Sequence, residues 1–261
     1  MRLQEVFAQA KLENRAALIG YMPAGFPTKE GSQRLIAAMI DGGVDIVEVG
    51  FPYSDPVMDG PVIQQAAEVA LRNGTSARDV LDVVASSTVP TLVMSYWNPI
   101  ERYGVAKFAE DLSSASGVGV ITPDLTVEES ENWIRATDHK DIGRVYVVAP
   151  SSSDARLASV TAACSGFIYA ASLMGVTGAR TSISSAASDL VARVRRVTDL
   201  PVAVGLGVSN AEQASAVATY ADGVIVGSAF IKLVQESASL EEALVAVRSL
   251  AQQLSAGVRR S

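Results

Sequence analysis

Three carboxylates fall within twelve residues of a Gly/Pro-rich stretch, Glu48-Val49-Gly50-Phe51-Pro52-Tyr53-Ser54-Asp55-Pro56-Val57-Met58-Asp59-Gly60-Pro61. The run before it, Val44-Asp45-Ile46-Val47-Glu48-Val49, reads as a buried strand. With a side-chain period of two, Val44, Ile46 and Glu48 are expected on one face. A carboxylate in line with core residues must shed water, which is costly without a task or a partner. The plainer alternative is a strand-end Glu that faces solvent or pairs with Arg. Two carboxylates in different environments can divide acid and base duties. Tyr169, at the end of another apolar run, adds a third candidate proton-handling group.

The remaining chemistry narrows quickly. None of the five lysines lies inside a strand-like run, although a Schiff-base aldolase needs one at a strand end. One histidine, His139, and one cysteine, Cys164, are too few for a His/Cys metal site. His139 lies in a polar connection and reads as a solvated residue. The sequence therefore predicts a metal-free site in this chain.

These groups must be held by a scaffold, and the chain alternates short β-like runs with helical ones. The strands are expected at 16–22, 44–50, 91–95, 118–122, 143–149, 166–171, 201–205 and 222–226. Helices are expected at 31–42, 62–72, 76–86, 104–115, 127–137, 153–163, 183–197, 209–219 and 239–255, with an additional N-terminal helix over 2–12. Near-continuous apolar, β-branched strands indicate parallel strands covered on both faces. Eight β/α units in 261 residues predict an α/β fold, a (β/α)8 TIM barrel, as one domain over 1–261. A doubly wound open sheet is the competitor.

In a barrel the site lies at the C-terminal strand ends, where Glu48, Asp55, Asp59 and Tyr169 fall. Glycines gather there too: Gly175 to Gly178, Gly205-Leu206-Gly207, and Gly227-Ser228-Ala229. Glycines admit close backbone approach, and a helix start favours an anion, so these loops predict a phosphate cradle. Turns alone are the alternative. The residues thus point to a phosphate-anchored lyase or isomerase using general acid–base catalysis.

Composition agrees. A net charge of −7 with no basic face disfavours nucleic acid. The N-terminus does not resemble a signal peptide. No apolar stretch reaches the ~18–20 residues needed to cross a bilayer. One cysteine fits a reducing cytoplasm.

Across essentially its whole length the chain resembles the tryptophan synthase alpha subunit family. The stretch 48–61 carries the likeness, with Gly166-Phe167-Ile168-Tyr169, Gly175-Val176-Thr177-Gly178-Ala179-Arg180, Pro201-Val202-Ala203-Val204-Gly205 and Asp222-Gly223-Val224-Ile225-Val226-Gly227-Ser228-Ala229. The resemblance implies cleavage of indole-3-glycerol phosphate to indole and glyceraldehyde 3-phosphate. It also implies an alpha2beta2 heterotetramer, in which indole passes to a beta subunit that holds pyridoxal phosphate. It makes Glu48 the acid–base group, Asp59 the partner of the indole N–H, and Tyr169 an orienting neighbour of Glu48. Gly178, Gly207, Gly227 and Ser228 match the phosphate cradle, and Tyr21, Tyr96 and Leu206 the indole pocket. The segment 173–187 is expected to be a lid, with Thr177 meeting the Asp59 loop. Thr126, Leu206 and Met58 depart from the family pattern. A free-standing indole-3-glycerol-phosphate lyase and a non-catalytic barrel that activates a partner are the alternatives.

Overall fold

Parallel strands buried on both faces need apolar side chains on both, and the strand sequences supply them. The computed structural model describes residues 2–171, 185–205 and 207–260. Its strands are β1 (Ala17–Pro23), β2 (Ile46–Gly50), β3 (Thr91–Met94), β4 (Gly119–Ile121), β5 (Gly143–Val145), β6 (Val147–Val148), β7 (Ile168–Ala171), β8 (Val202–Gly205) and β9 (Gly223–Val226). All pair in parallel, in the order β5-β4-β3-β2-β1-β9-β8-β7-β6. Only Tyr146 separates β5 from β6. One half of this broken strand pairs with β4 and the other with β7, so the ring closes as a TIM barrel.

The helices are α1 (Leu3–Leu12), α2 (Lys29–Asp41), α3 (Pro61–Arg72), α4 (Ala77–Ala85), α5 (Trp97–Tyr103), α6 (Val105–Ser114), α7 (Glu131–Asp138), α8 (Asp154–Ala163), α9 (Ser185–Val194), α10 (Ala211–Ala218), α11 (Ser228–Glu236) and α12 (Leu240–Gly257). Two of them, α5 and α11, fall where the sequence reading expects loops. The helix expected at 127–137 is a short 3-10 turn, Val127–Glu129, followed by α7.

Two cores result. The larger lies between strands and helices, and the smaller fills the barrel. The inner core comprises Ile19, Ile46, Leu92, Ile121, Val145, Ala203 and Ile225, closed from below by Leu3, Val6, Phe7 and Ala10 of α1. The Phe7 and Phe167 rings meet there at 5.7 Å. One expectation needs correction. Val44 precedes the strand, after Gly43 at φ +101°, and joins the outer core beside Met39. Only Ile46 and Glu48 of the expected trio therefore point inward.

Candidate active site

Glu48 stands one strand period above Ile46, with Tyr21 of β1 and Leu92 of β3 as its lateral neighbours in register. It is 1% exposed, and its Oε1 has no hydrogen-bond partner among the described residues. Burial pushes its carboxyl up to about 8. A buried carboxyl of that kind holds a proton at neutral pH and can give it away. It points into the barrel mouth, so the alternative of a solvated or Arg-paired strand end does not apply.

Asp59 arrives on the loop between β2 and α3. The loop turns back through the Val57 N–H to the Asp55 carbonyl (2.9 Å) and the Asp59 N–H to the Pro56 carbonyl (3.1 Å). Pro61 then opens α3, a position where its missing N–H costs no helix bond. Burial raises the Asp59 carboxyl to about 6, opposed by a hydrogen bond from Tyr96. Asp55 is exposed and takes a hydrogen bond from the Ser54 hydroxyl (2.6 Å), which suits a loop-shaping role.

Three phenols complete the cluster. Tyr21 and Tyr169 are held above their ordinary range, first by burial and then by the nearby Asp59 and Glu48 charges. Tyr96 is raised by burial and then by Asp59. All three therefore remain neutral hydroxyls. Two of them lie over glycines: a Cβ on Gly50 would overlap the Tyr21 hydroxyl, and one on Gly205 the Tyr169 hydroxyl. Glu48, Asp59, Tyr96 and Tyr169 all lie close enough to Tyr21 to act on its hydroxyl electrostatically.

Beside them lies an anion-friendly strand end. Gly227 precedes α11, which begins with Ser228 and has neither a side-chain cap nor an acid in its first turn. By contrast, α12 starts from a capping Ser239 followed by Glu241 and Glu242. An uncapped start leaves N–H groups for an anion. A Cβ on Gly227 would approach Tyr21 at 3.3 Å, so this start borders the carboxylate pocket. Gly207, after β8, has φ +68° and open space where a Cβ would go. Thr177, Gly178, Leu206 and most of the expected lid lie outside the described residues.

Sequence reading missed the link between Tyr96 and the Asp59 loop: the Tyr96 hydroxyl accepts the Met58 N–H at 2.8 Å. Tyr96 entered the sequence reading only through the family resemblance, as part of the indole pocket. Among the described residues, no group of three or more His, Cys, Asp or Glu is placed to hold a metal.

A family model described as tryptophan synthase alpha chain matches residues 7–259. The chain belongs to the tryptophan synthase alpha chain family. The tryptophan synthase alpha chain of Streptomyces avermitilis is 56% identical over 261 residues, covering 98% of this chain and 94% of the relative. That of Thermobifida fusca is 56% identical over 263 residues, covering 98% and 97%. A solved Mycobacterium tuberculosis tryptophan synthase superposes with a TM-score of 0.93 at 49% identity, covering 100% of this chain and 99% of the other. A Legionella pneumophila tryptophan synthase alpha chain still gives 0.86 at 30% identity, with 98% and 97% covered. Such likeness at falling identity marks the barrel as the family's shared frame. Among the described residues, no helix is long and apolar enough to cross a membrane.

Proposed function

We propose that this chain performs the retro-aldol cleavage of indole-3-glycerol phosphate to indole and glyceraldehyde 3-phosphate, with Glu48 as its acid–base group. The observation that carries the reading is a buried Glu48 carboxyl whose Oε1 has no partner among the described residues, in a chain of the tryptophan synthase alpha family with a second raised carboxyl at Asp59. The phosphate rests at Gly227, Ser228 and Gly207, and the indole ring lies toward Tyr21 and Tyr96; the family resemblance adds Gly178 and Leu206, which lie outside the described residues. Glu48 enters protonated and gives its proton to C3 of the ring. The ring nitrogen becomes positive, and anionic Asp59 accepts its N–H and stabilises that charge. Glu48, now a carboxylate, takes the proton from the side-chain hydroxyl next to the ring. As the new carbonyl forms, the carbon–carbon bond breaks and its electrons return to the ring. One proton is delivered and one recovered, so Glu48 ends as it began. Tyr169, packed near Glu48, orients it.

The productive state needs Asp59 ionised and Glu48 protonated, which favours a window between about pH 6 and 8. The family implies a beta subunit as partner, in an alpha2beta2 assembly whose beta subunits hold pyridoxal phosphate. The exposed Val57 and Met58 beside Asp59 suit a partner that covers this end. We read the chain as one domain and as cytoplasmic. Indole release from indole-3-glycerol phosphate by the purified chain, with and without a beta subunit, tests the reading. Turnover that rises with the subunit supports it. No turnover in either state rejects it.

A further inference from the structure

Tyr21 bridges two parts of the barrel mouth that the mechanism uses separately. Its Cβ and Cδ1 lie 3.3 Å from where a Cβ on Gly227 would stand, so the base of the side chain borders the start of α11. Its hydroxyl lies where a Cβ on Gly50 would stand. Tyr21 is level with Glu48 in the β1–β2 register, and Gly50 is level with Pro23. The ring therefore climbs one strand period from its own level and sets its oxygen on the mouth side of Glu48. Any side chain at position 50 would take the place of that oxygen.

The hydroxyl is free to act. Tyr96 gives its oxygen to the Met58 N–H, but among the described residues the Tyr21 hydroxyl has no hydrogen-bond partner. The residue is 8% exposed. Burial first, then the Asp59 and Glu48 charges, hold the phenol well above its ordinary range, so it keeps its proton. A buried donor without an acceptor is costly, and a ligand that brings an acceptor is favoured.

We propose that Tyr21 is a specificity-determining residue: its hydroxyl donates a hydrogen bond to the middle hydroxyl of the substrate's glycerol chain and so selects a hydroxylated three-carbon phosphate. This rests on the lyase reading and on the phosphate site given above. The substrate has three carbons between phosphate and ring, and two of them carry hydroxyls. Glu48 takes the proton of the hydroxyl next to the ring. The middle hydroxyl passes through the cleavage unchanged and needs a partner of its own. A chain that runs from Gly227 to Glu48 follows the Tyr21 ring from base to oxygen. A site that hydrogen-bonds a substrate hydroxyl discriminates against the analogue that lacks it.

Tyr21→Phe removes one oxygen and keeps the ring. Calorimetry on the full chain compares glycerol 3-phosphate with 3-hydroxypropyl phosphate, which lacks only the middle hydroxyl. The parent should bind the first about tenfold more tightly. Tyr21→Phe should weaken the first by about that factor and leave the second within about twofold, so the preference disappears. Indole-3-propanol phosphate keeps ring and phosphate but has neither chain hydroxyl, and it should bind parent and variant within about twofold. For indole-3-glycerol phosphate, kcat/KM should fall about tenfold in the variant. A parent that binds neither small phosphate, or shows no preference between them, overturns the proposal. So does a variant that keeps the preference. A variant that weakens both phosphates equally, or that also loses indole-3-propanol phosphate, makes Tyr21 a wall only and overturns it too. The calorimetry needs no turnover. Loss of the preference in a chain that cleaves nothing would support the Tyr21 contact while rejecting the lyase reading. Cleavage with the preference untouched in the variant would do the reverse.

Discussion

The two ends of the barrel are built from the same strand faces and do opposite things. Ile19, Ile46 and Phe167 fill the lower interior, closed by the apolar face of α1. Two residues further along the same faces stand Tyr21, Glu48 and Tyr169. One strand period turns a packed core into a titratable pocket. The lower end has rings in contact and buried apolar side chains. The upper end has a carboxyl oxygen with no partner among the described residues and two hydroxyls laid over glycines. The difference teaches where the fold invests stability and where it spends it: the closed end supports an open end that carries uncompensated polar groups.

The sharpest way to break this contrast is Glu48→Gln, which keeps volume and removes proton transfer. Turnover should fall by about 10⁴-fold, the upper end for general acid–base catalysis, because one group serves both transfers. Retained activity within about tenfold of the parent would end the assignment. The same variant should be more stable at high pH. Glu48 holds its proton in the folded state up to about 8, whereas the unfolded chain loses it near 4.5. Its contribution is therefore complete below the unfolded value and is lost as pH rises through the folded one. The stability advantage of Glu48→Gln should grow between those values and level off above about pH 8. A constant offset across that range in thermal unfolding would contradict it.

At the closed end, Phe7→Ala should cost about 3–5 kcal/mol of stability by leaving a cavity against Phe167. Turnover per folded molecule should be unchanged. Denaturant unfolding together with the lyase assay checks both, and a matching catalytic loss would mean the two ends are coupled.

Asp59→Asn should lower turnover by about 10²–10³, the scale of one preorganised electrostatic partner. An unchanged rate would shift suspicion to Asp55, whose exposed carboxylate is occupied by Ser54. The smallest expected effect is at the anion end. Gly227→Asp should raise KM by about tenfold and lower kcat less, because a carboxylate at the start of α11 would meet the substrate phosphate. Unchanged glycerol phosphate binding would place the cradle elsewhere.

Much of this frame was legible in the sequence because barrel strands write themselves as apolar, β-branched runs. All eight expected runs contain strand, and the one at 143–149 is broken by Tyr146. Glu48 and Tyr169 were visible as polar groups at the ends of such runs and Asp59 as a carboxylate in the loop after one, whereas Tyr21 and Tyr96 were named only by the family resemblance. Less legible was what depends on where a chain turns. Val44 shares the alternation of β2 in sequence, but the turn at Gly43 sets it into the outer core. The short α5 hides because its start is capped from a distant loop, by Asp124 on the Trp97 N–H. The start of α11 is an uncapped glycine, which reads as loop. The Tyr96–Met58 bond joins positions 38 residues apart, a spacing that no local pattern encodes.

The central claim is that one strand period places Glu48 where burial keeps its carboxyl protonated and ready to act. A ¹³C carboxyl titration of the full chain tests this directly, with the Glu48 signal identified by its loss in Glu48→Gln. A midpoint near 8 is the expected result. A midpoint near the ordinary 4.5 would leave Glu48 ionised at neutral pH, unable to protonate the indole ring, and would contradict the account.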